Sequence, residues 1–244
     1  MKTWYITTAI DYVNTPFPHL GHLYEKVIAD VVARWHRIKG EEVYFLTGTD
    51  ENAQKNEQAA KEAGTETQAF VDTNSAAFKK FCDTLNISYD DFIRTTEERH
   101  IKVAQAIFQK LYDQGDIYKD IYKGLYCIGC EAHITEKELV NGKCPEHQKE
   151  PKWVEEENYF FKMSKYQDTM LALLKNKQFV IPEGKLKEMI ARIENEGMRD
   201  LCATRYKAEW GIQVPFDKDF RIYVWLEAVL CYISALGYPD GELY

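Results

Sequence analysis

The chain has 244 residues, 45% of them apolar and 29% charged, with 31 basic and 39 acidic side chains for a net charge of −8. That composition excludes collagen-like, low-complexity and wholly disordered classes and is enough to bury a core without disulfide staples. The negative balance argues against holding nucleic acid by bulk electrostatics, though not against a local RNA contact. The most apolar stretch, 222–236, is interrupted by Glu227 and falls short of the roughly 20 residues a membrane span needs. The start, MKTWYITTAI, is not a signal peptide, so a cytoplasmic chain with no membrane partner is expected.

Residues 3–10 read as a buried strand and 11–18 as a loop with two prolines. From His19 a helix is predicted, its apolar face formed by Leu20, Leu23, Tyr24, Val27, Ile28, Val31, Val32 and Trp35, and ended by Gly40. Residues 42–50 form a second, continuously apolar strand. Helices are expected over 51–62, from a Thr65–Gln68 capping box through Phe70, Phe78 and Phe81, and over 97–114. From about 115 to 221 the pattern turns irregular, with short strand-like pieces and short helices. Residues 221–226 read again as a buried strand and 227–236 as a helix. The fold class is therefore α/β, a Rossmann-like doubly wound parallel sheet interrupted by an insertion. The predicted domains are 1–114 and 221–244 as parts of one sheet domain, with 115–220 inserted. No internal repeat is present.

Four motifs carry chemistry. Pro18-His19-Leu20-Gly21-His22 lies between strand and helix, where free backbone N–H groups and the helix dipole suit an anion. His19 and His22 can donate to phosphate oxygens, and Gly21 lets a ligand approach the backbone. Two surface histidines at a helix cap would look the same. Cys127-x2-Cys130, then Cys144-x2-His147, has the paired spacing of a closed tetrahedral zinc site, which is structural because no position is left open. His133 is a nearby competitor that falls outside the paired spacing. Asp50 stands at the carboxyl end of the second strand, placed to hold a cationic group such as an amine, or simply to cap the next helix. Trp225 and Tyr232 lie at the last strand-to-helix junction, where they would line an apolar pocket or pack the core.

Together these residues resemble the methionyl-tRNA synthetases of class I. HLGH at 19–22 is similar to the HIGH signature, and FLTGTDEN at 45–52 to the family's FLTGTDEH. GLYCIGCEAHITEKELVNGKCPEH at 124–147 resembles its zinc knuckle. NYFFKMSKY at 158–166, DLCATRYKAEWGIQVP at 200–215 and YVWLEAVLCYISALGY at 223–238 also match in order. The resemblance implies a zinc-bearing connective-peptide insertion and activation of methionine by ATP and Mg²⁺ through methionyl-adenylate, then transfer to tRNA(Met). It implies His19, Gly21 and His22 at the ATP phosphates and Asp50 at the methionine amine. Ile10 and Tyr12 would lie against the substrate, Trp225, Ala228 and Tyr232 around the thioether, and Arg205 would be a catalytic basic group near Asp50.

Some positions depart from the family pattern. Ala9 and Asp11 stand where Pro and Tyr are usual, Asn52 and Ala53 where His and Gly are, and Glu227 where Asp is. Val229 and Cys231 vary the following helix. The second signature, KMSKS, and an anticodon-binding domain are not found. Lys162-Met163-Ser164-Lys165 is a decoy, since it sits just after the zinc segment. The expectation is an N-terminal part, inactive alone, that needs a C-terminal segment or partner chain. The alternatives are a non-catalytic zinc- and methionine-binding module, or a related enzyme such as the cysteine-specific synthetase or a nucleotidyltransferase.

Overall fold

In the computed structural model the described residues are 2–130, 132–176 and 179–241, the side chains at 132, 133 and 137 excepted. Three parallel strands open the chain: β1 (Thr3–Tyr12), β2 (Glu42–Asp50) and β3 (Asp91–Arg94), in the order β1-β2-β3. Between them run helices α1 (Leu20–Ile38), α2 (Gln54–Glu62) and α3 (Thr67–Thr84), and α4 (Glu98–Asp113) follows. An antiparallel sheet comes next, built on β4 (Ile117–Cys127), β5 (Ala132–Ile134), β6 (Lys152–Phe161) and β7 (Leu201–Cys202), with helices α5 (Gln167–Leu174) and α6 (Glu183–Glu196) before β7. A second antiparallel sheet joins β8 (Thr204–Tyr206), β9 (Gln213–Val214) and β10 (Asp217–Ile222), and α7 (Val224–Ala228) and α8 (Cys231–Ser234) close the described chain.

The parallel sheet is covered on both faces, as a doubly wound fold requires. On one face Phe45 and Phe92 pack with Ala33 of α1 and with Val71, Phe78 and Cys82 of α3. On the other, Leu46 and Ile93 pack against Cys231 and Ala235 around α8. Full burial of side chains such as Phe45 and Phe78 is worth about 1.5–3 kcal/mol each. Gly48 is required between β2 and β3, because a Cβ there would run into the backbone carbonyl of Ile93. A third cluster joins Ala104 and Phe108 of α4 to Ile117, Tyr159, Val214 and Phe220, so the inserted sheets share a core with α4.

Several expectations are corrected. β3 has only four residues and escaped the hydropathy pattern. No Thr65–Gln68 capping box forms; the Thr65 N–H instead closes the end of α2 on the Ala60 carbonyl at 3.0 Å, and α3 begins without a side-chain cap. The region after 115 is regular: β4 and β6 pair antiparallel over ten residues. Its charges mask the strands in sequence because they pair across the ladder, Lys119 with Glu157 at 2.7 Å and Lys123 with Glu155 at 2.5 Å. Residues 221–226 are not a strand of the parallel sheet. β10 ends at Ile222 and lies antiparallel to β8 and β9, and the chain turns helical when Tyr223 accepts the Leu226 N–H at 2.9 Å. The helix expected over 227–236 is split into α7 and α8.

The apolar face of α1 also lies opposite to its expected place. Leu20, Tyr24, Val31, Trp35 and Ile38 are each 60% exposed or more. The buried positions are Lys26, Asp30, Ala33 and His36. The three polar ones face inward because each has a partner there: Lys26 pairs with Asp11, Asp30 accepts from the Ser88 N–H at 2.7 Å, and His36 pairs with Glu41. Among the described residues no helix is long and apolar enough to cross a membrane.

Candidate active site and metal centre

Tyr12 and Asp50 end their strands directly opposite each other in the β1–β2 register. Asp50 is only 5% exposed, and it does not cap α2, whose N-cap is Ala53 with no side-chain bond. The Trp225 indole N–H donates to the Tyr12 hydroxyl at 2.9 Å, drawing α7 onto the same sheet edge. The Lys55 ammonium lies 3.1 Å above the centre of the Tyr12 ring. Ile10 and Tyr232 pack with Leu46, Ile93 and Cys231, and the Tyr232 hydroxyl donates to the Thr8 carbonyl at 3.2 Å. Ala228 is buried on α7. The fold thus brings Tyr12, Asp50 and Trp225 together at the carboxyl ends of β1 and β2, where open α/β sheets bind ligands, with Ile10 and Tyr232 packed around Leu46 and Cys231 beside them.

The segment carrying Asp50 is held from all sides. Asn56 Nδ2 donates to the carbonyls of Asp50 and Glu51 at 3.1 and 2.9 Å. The Trp210 indole N–H donates to the Glu51 carbonyl at 2.7 Å, and the Glu51 N–H donates to Thr95 Oγ1 at 2.9 Å. The fully buried Glu51 carboxylate takes two bonds from Arg94, at 2.7 and 2.9 Å, the bidentate geometry that guanidinium favours. Sequence reading missed Lys55, Asn56, Arg94, Thr95 and Trp210; Asn56 and Lys55 sit on a helix whose polar pattern gives no sign of facing inward.

The two signature histidines cap α1 reciprocally. His19 Nδ1 accepts the Gly21 N–H, and His22 Nδ1 accepts the His19 N–H, both at 3.1 Å. Their rings stack with centroids 3.6 Å apart. Because each Nδ1 is an acceptor, each neutral ring carries its hydrogen on Nε2. Burial pulls the His22 pKa down, opposed by the Asp11 carboxylate 3.8 Å from Nε2, so the ring is a neutral donor at neutral pH. Asp11 itself is buried and paired with the equally buried Lys26.

Arg205 lies on β8 between two rings, its guanidinium 4.7 Å from the centre of Tyr126 and 4.2 Å from that of Tyr223. It donates to the Thr204 carbonyl at 2.8 Å. With Asn52, Trp210 and Val224 it also lines a small cleft below the Asp50 segment. The Lys162–Lys165 tetrapeptide is tied down elsewhere, with the Lys165 ammonium 2.5 Å from Asp116 and the Ser164 hydroxyl donating to Asp200 at 2.6 Å.

Cys127, Cys130, Cys144 and His147 each offer one ligand atom within 4.8 Å of the others, a cluster fit for a metal ion. Cys130 Sγ is 3.4 Å from Cys144 Sγ and 3.2 Å from His147 Nδ1. All three cysteines are free thiols. Gly129 is part of the cradle, since a Cβ there would collide with the His147 ring. Three soft thiolates and one imidazole are the donor set of a closed tetrahedral zinc site. The His133 side chain lies outside the described residues.

A family profile described as tRNA synthetases class I (M) matches residues 4–151 and 130–242. The chain belongs to the methionyl class I tRNA synthetases. It is 48% identical to the methionine--tRNA ligase of Clostridium perfringens and 46% identical to that of Campylobacter jejuni, over 100% and 98% of its own length and 38% of each relative. A crystal structure of Mycobacterium tuberculosis methionyl-tRNA synthetase bound by methionyl-adenylate superposes with a TM-score of 0.94 at 40% identity, covering 99% of this chain and 49% of that one. The chain therefore spans less than half the length of these methionyl-tRNA synthetases. Two of its departures from the family pattern meet in space: Asn52 Nδ2 donates to Glu227 Oε1 at 3.1 Å across 175 positions of sequence.

Proposed function

We propose that the chain forms the methionine- and ATP-binding part of a methionine–tRNA ligase. The observation that carries this reading is the convergence of Tyr12, Asp50 and Trp225 at one sheet end. Asp50 receives the methionine ammonium. Trp225, Tyr12, Ala228, Tyr232 and Ile10 surround the thioether, where sulfur–ring contacts contribute about 0.3–1.5 kcal/mol. ATP, with Mg²⁺, lies at the start of α1, where Gly21 admits the phosphates and the Nε2–H groups of His19 and His22 donate to their oxygens. The methionine carboxylate attacks the α-phosphorus and pyrophosphate leaves. A terminal hydroxyl of tRNA(Met) then attacks the adenylate carbonyl and AMP leaves. Arg205, held rigid by its two rings, is the basic group behind the Asp50 segment.

The metal is zinc, which when bound supplies a structural crosslink. Cys127, Cys130, Cys144 and His147 hold it, and no bond of the substrate passes through it. Residues from about 115 to the end of β10 at Ile222 are the connective insertion, close to the 115–220 span expected from sequence, and 1–114 and the helices α7 and α8 belong to the catalytic domain. Methionine-dependent pyrophosphate exchange by the full enzyme carrying this chain tests the reading. His22→Ala is expected to lower it about 10²–10³-fold, the cost of one preorganised donor. Unchanged exchange in that variant would remove the histidines from the mechanism.

A further inference from the structure

Behind the proposed pocket, three elements meet at one carboxyl group. Glu227 of α7 is fully buried, as is His100 of α4. His100 Nε2 lies 2.6 Å from Glu227 Oε2, and Asn52 Nδ2 donates to Glu227 Oε1. The second Asn52 amide bond goes to the Thr95 carbonyl at 3.1 Å. Asn52 follows Asp50 by two residues, and Glu227 lies between Trp225 and Ala228. One carboxyl therefore touches both the segment that carries Asp50 and the helix that carries the aromatic wall.

We propose that Glu227 is a positioning residue that ties the two walls of the methionine pocket together, acting as a neutral carboxylic acid that donates to His100 and accepts from Asn52. The inference rests on the pocket reading given above. The hydrogens can be followed atom by atom. The Ser234 hydroxyl donates its one hydrogen to the Leu230 carbonyl at 2.8 Å. It therefore accepts from His100 Nδ1, 3.2 Å away, and Nδ1 carries a hydrogen. A single further hydrogen lies between Nε2 and Oε2. Placing it on the imidazole would create two opposite charges in a site closed to water, each with a desolvation cost. Placing it on the carboxyl leaves both groups neutral with every bond made. Burial acts in the same direction, raising the carboxyl and pushing His100 down to about 4.

A glutamine reproduces this arrangement, with an amide N–H toward His100 and a carbonyl toward Asn52; an alanine removes both bonds. Calorimetric titration of the chain with methionine separates them. Glu227→Gln is expected to bind within about threefold of wild type. Glu227→Ala is expected to bind at least about tenfold more weakly, the equivalent of one buried hydrogen bond. Should Glu227→Ala not fold, Asn52→Ala removes the tie on the Asp50 side alone and is expected to show the same loss. Infrared difference spectra at neutral pH are expected to show a protonated carboxylic-acid carbonyl band in wild type that is gone in Glu227→Gln. Absence of that band, or a Gln variant as weak as the Ala variant, would overturn the neutral acid. Asp50→Ala is the control for the pocket itself. Loss of methionine binding there with wild-type binding in Glu227→Ala or Asn52→Ala would overturn the tie and leave the pocket. Wild-type binding in Asp50→Ala would overturn the pocket, and the tie with it.

Discussion

The indole N–H of Trp225 donates to the hydroxyl of Tyr12 at 2.9 Å, joining the end of the first strand to a helix 213 residues further on. Trp225 is 55% exposed, so core packing alone does not hold it; the hydrogen bond fixes where its ring stands. Tyr12→Phe keeps the ring beneath Lys55 and removes the hydroxyl that accepts from Trp225. It is expected to weaken methionine binding about fivefold, in line with about 1 kcal/mol for one hydrogen bond. Titration of the two proteins with methionine reads the difference, and equal affinity would show that the bond does not order the pocket.

One zinc ion per chain is expected, held by Cys127, Cys130, Cys144 and His147. Elemental analysis of wild type and of Cys144→Ala checks this, with stoichiometric metal in the first and none in the second. Because Cys127 ends β4 and the other three ligands lie in the connections on either side of β5, metal loss is expected to release the knuckle locally and raise amide exchange there, leaving the parallel sheet protected. Metal-free wild type would remove the assignment.

Lys26 and Asp11 are 1% and 6% exposed, and they face each other. Removing the lysine alone strands a buried carboxylate. Lys26→Met is therefore expected to destabilise the chain by about 3–5 kcal/mol, and Lys26→Met with Asp11→Leu to recover most of that loss. Urea denaturation of the two variants gives both numbers. A double variant no better than the single one would mean that the pair contributes through shape rather than charge.

The buried Glu227 carboxyl also sets a pH dependence. Its pKa is raised in the fold by burial, so above the ordinary carboxylate range the folded state binds a proton that the unfolded state has released. Stability carried by that proton is complete at low pH and declines as pH rises. For one proton the slope is about 1.4 kcal/mol per pH unit. Glu227→Gln has no such proton, so its stability relative to wild type is expected to rise steadily from about pH 5 upward, near the unfolded carboxyl value. His100 contributes in the opposite sense: lowered to about 4, it favours the fold above its unfolded value near 6.5 and loses that contribution as pH falls. Denaturant titrations at several pH values separate the two, and parallel curves for wild type and Glu227→Gln would show Glu227 to be ionised in the fold.

Much of this was visible in the chain. The position of Asp50 at the end of β2 was legible because it closes a strongly patterned segment, and the Cys–His cluster because metal ligation fixes its spacing, whereas Trp225 was marked for a pocket rather than the core only by the family resemblance. Asn52 and Glu227 each stood out as departures, but nothing in a linear sequence shows that residues 175 positions apart share a hydrogen bond. The inner face of α1 was misread because hydrophobic periodicity assumes that polar side chains face water. Lys26, Asp30 and His36 face inward because fixed partners wait on β1 and on the loops beside β2 and β3, while the apolar stripe lies on the outer side. The strand expected at 221–226 was apolar enough, but Val224 and Trp225 are spent on a helix that carries Glu227 inward.

The most direct test of the account is calorimetric titration of wild type and Asp50→Ala with methionine and with leucine. The account predicts that wild type binds methionine, that leucine binds about tenfold or more weakly because it lacks the thioether and its length, and that Asp50→Ala loses methionine binding. Equal affinity for the two amino acids, or undiminished binding in Asp50→Ala, would contradict it.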